Sequence, residues 1–152
     1  MIEHVVIDAF VRQRVIGHTE LFGAVQRRVF KDFAPEVDPD DPAGKPPVYP
    51  LVVFIHLNSH DSAGAGSVVI QTDHRYRLIL WGEGKIERIV PTGHRLDALF
   101  RFNEPVNFTL GPNTYIILGS QREAQDSETG IIDGGKTYSR IWADYRIYMN
   151  AT

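Results

Sequence analysis

The stretch 138-YSRIWADYRIYM-149 alternates at period two for twelve residues, close to the end of the sequence. Ser139, Ile141, Ala143, Tyr145, Ile147 and Met149 fall on one side, and Tyr138, Arg140, Trp142, Asp144, Arg146 and Tyr148 on the other. Strict alternation of this length specifies a β-strand with one buried face. The second face mixes large aromatics with arginines, a combination that is costly to leave in water and asks for a covering partner.

Working backwards, 68-VVIQTDHRYRLILW-81 is a second long strand, closed by Gly82 and Gly84. Its Arg75 and Arg77 alternate with apolar residues as Arg140 and Arg146 do, which suggests two neighbours in one sheet. A third strand is expected over 48-VYPLVVFIHLN-58, with Pro50 near its start. Short strands are expected at Val106–Leu110, before the 111-GPN-113 turn, and at Tyr115–Arg122. Between them, Ile89, Leu96, Leu99 and Phe100 mark a helix over about 89–101. At the N-terminus Ile2, Val5, Val6, Ala9 and Phe10 form a helical stripe that Gly17 ends. Thr19 is then the expected N-cap of a second short helix carrying Leu21, Phe22, Val25 and Val29.

Three segments read as loops. The stretch 36-EVDPDDPAGKPP-47 is rich in proline and acid. The stretch 59–67 is small and glycine-rich, a flexible hairpin tip, and 125–136 is a polar turn region. The expected architecture is α+β in one domain over 1–152: a mainly antiparallel sheet of four to five strands, with N-terminal helices and one mid-chain helix packed on it.

Composition narrows the chemistry. The 152 residues contain no cysteine, so thiolate metal sites and cysteine nucleophiles are excluded. A net charge of -3 offers no general attraction to nucleic acid or anionic membranes. No basic, apolar N-terminal signal and no apolar run long enough to span a bilayer stand out, so a soluble protein made in the cytoplasm is expected. His56 and His60 sit four apart, as helical metal ligands do, but on a regular strand they share a face about 13 Å apart. The run 58-NSHDS-62 is no triad, and the glycine pairs complete no phosphate loop. No catalytic, cofactor or metal residues are assigned. Arg75, Arg77, Arg140, Trp142, Arg146 and Tyr148 are the candidate subunit interface, because arginine and aromatics are enriched where proteins meet. The same pattern also fits arginine stems that cover the sheet with their heads in water, or, less well at this net charge, a nucleic-acid-binding sheet face.

The chain as a whole resembles the tail-terminator (tail-completion) proteins of long-tailed bacteriophages and related gene-transfer particles. The resemblance spans about residues 18–149 and rests on 25-VQRRVFKDFAP-35, 49-YPLVVFIHL-57, 74-HRYRLILWGEG-84, 96-LDALF-100, 119-GSQREAQDSETG-130 and the closing 138-YSRIWADYRIYM-149. The long 36–47 loop and the glycine-rich 62–67 tip depart from that pattern. What the resemblance implies is a non-enzymatic virion protein of the neck, made in the host bacterial cytoplasm. Copies would form a ring, typically a hexamer, on the tail tube protein, stop tube growth and meet the head–tail connector or stopper. No membrane and no sequence-specific nucleic acid are implied as partners. Alternatives are another neck or tail-tube component, or a small metal- or metabolite-binding domain using His56, His60 and Asp61. On the interface reading, Trp142→Ala or Arg146→Glu should impair ring formation more than folding.

Overall fold

The computed structural model describes residues 3–63 and 69–150. In chain order the elements are α1 (Glu3–Ile16), α2 (Thr19–Val25), β1 (Val29–Lys31), β2 (Leu51–Ala63), β3 (Val69–Glu83), a 3-10 turn (Ile86–Arg88), α3 (Val90–Leu99), β4 (Val106–Leu110), β5 (Asn113–Asp133) and β6 (Lys136–Asn150). The strands form one sheet in the order β1-β2-β3-β6-β5-β4. β1 runs parallel to β2 and every other pairing is antiparallel. The α+β expectation stands, with six strands in place of four to five.

The strand that opens the sequence reading is central. β6 lies between β3 and β5, and its pattern divides as the alternation requires. Ala143, Tyr145, Ile147 and Met149 join Leu78 and Leu80 of β3 and Val52 and Phe54 of β2 in the main core. All three helices cover this face. α1 contributes Val6, Ile7, Phe10, Val11 and Val15, each at most 3% exposed. The stripe is rotated from the expected one, since Val5 points half into solvent and Ile7 is fully buried. α3 approaches β6 closely at Gly93, where an added Cβ would stand 3.2 Å from Ile141 Cδ1.

Other differences have local causes. α2 is capped by His18, not Thr19: the His18 ring accepts from the Leu21 amide at 3.4 Å. Val29 lies in β1, not in the helix. β1 escapes sequence reading because three residues are too few to show a period. Residues 32–50 contain no helix or strand, as the 36–47 loop requires. The expected tip 59–67 is strand as far as Ala63, and residues 64–68 lie outside the described residues. The largest correction falls on 125–136. Residues up to Asp133 extend β5, and only Gly134 and Gly135 turn, both with positive φ (58° and 78°) as a two-residue hairpin needs.

Candidate interaction surface

The face of the sheet away from the helices gathers every residue of the candidate interface. Arg75 stands opposite Arg146, Arg77 opposite Asp144, Ile79 opposite Trp142 and Trp81 opposite Arg140. Residues paired directly across an antiparallel ladder share a face. Tyr148 and Tyr138 continue the β6 row.

The arginines here are paired within the chain, each with a carboxylate. Arg77 holds Asp144 through two bonds, Nε to Oδ1 at 2.8 Å and a second nitrogen to Oδ2 at 3.1 Å. Arg140 donates twice to Glu128, at 2.7 and 3.1 Å. Arg75 and Arg146 converge on Glu123 at 3.0 and 3.1 Å, and Arg146 also lies 3.7 Å from Asp73. Hydrogen bonds from Arg146 first, and then from Arg75, hold the Glu123 carboxyl below the usual carboxylate range. Asp73 and Asp144 are buried, so these pairs are screened less than ordinary surface bridges. Glu123 and Glu128 went unassigned in the sequence because they fall in or beside the segment read as a polar turn. Neither carries a motif of its own.

Beyond the charged half the same face turns apolar. Phe30, Leu51, Val53 and Ile79 form a second buried cluster, flanked by Tyr49, Trp81 and Trp142. Arg140 joins the halves: its guanidinium carbon lies 4.8 Å from the Trp142 ring centroid and 5.3 Å from that of Trp81. Cation–π contact and the Glu128 pair together fix this arginine between two indoles.

The structure separates His56 from His60. A bulge between His56 and Asn58 shifts the register, so His56 pairs with Tyr76 on the helix side while His60 pairs with Asp73 on the far side. Asp61 is exposed, and no group of three or more His, Asp or Glu among the described residues could hold a metal ion. His56 instead joins a chain of rings. It stacks on His4 of α1 at 5.6 Å, and Ser59 Oγ lies 2.7 Å from both His56 Nε2 and His74 Nδ1. His74 is fully buried, with Nε2 at 3.0 Å from Thr72 Oγ1.

Burial holds the His56 imidazole below its ordinary value of 6.5, with Asp8 opposing that shift. A depressed folded value means the unfolded chain binds the extra proton first. The stabilisation is therefore present above pH 6.5 and is lost as pH falls through and below it. Thermal melting should drop between about pH 8 and about pH 5.5, and the drop should be smaller in His56→Gln. Equal drops in both proteins would remove His56 as the group responsible.

The two margins of the sheet complete the surface. β1 covers β2 only at Val52–Phe54, and β4 covers β5 only at Asn113–Ile117, with one bridge from Phe102 to Ser120 beyond it. Among the described residues no strand pairs the outer margin of β2 from Ile55 to Ala63, or of β5 from Gln121 to Asp133. The free part of β5 carries Glu123, Asp126, Glu128 and Asp133 against a single arginine, Arg122, and includes Ile132, 77% exposed. No helix among the described residues is long and apolar enough to cross a membrane. A scan against protein-family models finds no match for this chain, and a search of curated proteins finds none either.

Proposed function

We propose that this chain is a tail terminator of a long-tailed phage or a related gene-transfer particle. Copies join head to tail in a ring of about six, seated on the last ring of the tail tube. The ring halts tube growth and presents a joining surface to the head-side connector. The role is structural, with no catalytic step.

The observation that supports this reading is the pair of free sheet margins. Head-to-tail assembly requires two different surfaces on each copy that fit one another. The free part of β2 lies toward one end of the sheet and the free part of β5 toward the other, and the two strands run in opposite directions. Opposite directions let β2 of one copy add to β5 of the next as an antiparallel pair, a mode in which main-chain hydrogen bonds supply the affinity. The ion-paired arginine face then serves as a rigid wall of the assembly.

Light scattering tests this. A closed ring of about six protomers of 17.2 kDa would give a mass near roughly 100 kDa, with rings visible by negative stain. Ile132→Glu puts a charge in place of an exposed apolar side chain on the β5 margin, so it should leave circular dichroism unchanged and abolish the ring. A strict monomer at high concentration that also fails to bind tail tubes would overturn the reading.

A further inference from the structure

On the helix-free face, between the 32–34 segment and the turn end of the β5–β6 hairpin, lies a cavity of about 340 Å³. Its walls are aromatic: Phe33, Tyr49, Trp81 and Tyr138. The Tyr49 and Tyr138 rings lie 4.9 Å apart at 46°, and Phe33 is 72% exposed, with little of its own chain to cover it. The floor is the aliphatic cluster of the same face. Two acidic residues, Asp32 and Asp133, line it, and among the described residues no lysine or arginine does. Neither aspartate forms an ion pair among the described residues, unlike the acids of the neighbouring ladder.

An apolar ligand would fill the aromatic walls but would leave Asp133 without an ion-pair partner against a low-dielectric surface, and Asp32 with only the longer-range field of Lys31. An anion would be repelled by both. A cation satisfies walls and rim together, because aromatic faces attract positive charge and carboxylates pair with it. Burial raises the Tyr49 hydroxyl above its ordinary range, and Tyr138, Asp133 and Glu83 add to the shift. Glu83 is 3.7 Å from Lys136, and Arg140, whose guanidinium lies over the Trp81 wall, is engaged by Glu128.

Planarity selects among cations. A guanidinium can stack on a ring and offer a fork of donors to a carboxylate, whereas lysine's ammonium is a compact, strongly hydrated point charge and a quaternary ammonium has no N–H to donate. This face already seats one guanidinium on its tryptophans, that of Arg140. We propose that the cavity receives the guanidinium of an arginine side chain presented by a partner protein. The assignment stands apart from the ring reading, since a single chain contains the whole pocket.

The test follows the two indole N–H signals of the labelled full-length chain, which has two tryptophans. N-acetyl-arginine amide should shift the Trp81 signal saturably. Its neutral isostere, N-acetyl-citrulline amide, should bind at least about tenfold more weakly. The Asp32→Asn/Asp133→Asn variant should lose most of the preference for arginine over citrulline. Asparagine is chosen because Asp32 has φ of 69°, a conformation asparagine tolerates. Its folding is read from unchanged signals elsewhere in the spectrum. Equal binding of arginine and citrulline probes, the absence of a saturable Trp81 shift, an undiminished preference in the double variant, or tighter binding of tetramethylammonium than of the arginine probe would each overturn the proposal.

Discussion

Truncating Phe100 to alanine is expected to lower the unfolding free energy by about 3–5 kcal/mol, the usual cost of deleting a fully buried ring. Phe100 is 0% exposed and caps the C-terminal end of α3. Its ring lies 5.7 Å from that of Tyr145, so it is the wedge between α3 and the central strand β6. The loss would spread through Tyr145. That hydroxyl donates to Asp97 at 2.7 Å, and Asp97 also accepts from Arg122 at 2.9 Å and Arg101 at 3.3 Å. Urea unfolding should show a lower midpoint with an unchanged slope, the mark of a stability change without a change in the surface exposed. A loss below about 1 kcal/mol would mean that α3 is held elsewhere.

The second large effect is Arg146→Glu, and here the structure revises the sequence reading. A glutamate at 146 would stand beside Glu123 and the buried Asp73, turning a largely exposed ion pair into three crowded carboxylates. With the arginine side chain 32% exposed and the pair open to solvent, the expected cost is about 1 kcal/mol at low salt, falling in about 1 M salt. The substitution should therefore weaken the fold to some degree as well as any assembly through this face, so the ring and the unfolding free energy have to be measured side by side. Adding Glu123→Arg to Arg146→Glu should recover part of the loss by restoring opposite charges across β5 and β6, although Arg75 then meets a like charge. A double variant no more stable than Arg146→Glu alone would show that the pair contributes by packing, not by charge.

The fold was legible wherever a strand has one wet and one dry face. β6 and β3 declare themselves because Tyr145, Ile147, Leu78 and Leu80 lie under helices while the residues between them do not. β5 beyond Ser120 does not declare itself. Residues 123–130 are exposed on both faces, so no hydrophobic period marks them, and their polar composition reads as a turn. The same blindness hid half of the candidate surface. The arginines stood out by their alternation with aromatics, but Glu123 and Glu128 became their partners only once β5 was known to lie beside β6. The histidine chain needed tertiary information twice over. His4 arrives on a helix, and a bulge after His56 sends His60 to the other face, which no regular strand spacing predicts.

The free margins also bear on the geometry of any assembly built through them. Following the register inward, Ser127 in the middle of free β5 is level with Ile141, then Leu80, then Val52. The middle of free β2, near Ser59, lies about 20 Å further along the strands at 3.3 Å per residue. Each copy added margin to margin is thus displaced along the strand direction as well as sideways. With strands upright, such a series climbs as a spiral stair and has no last step. It closes on itself only when the strands lean away from the axis until the climb per copy is cancelled, as staves lean in a twisted barrel.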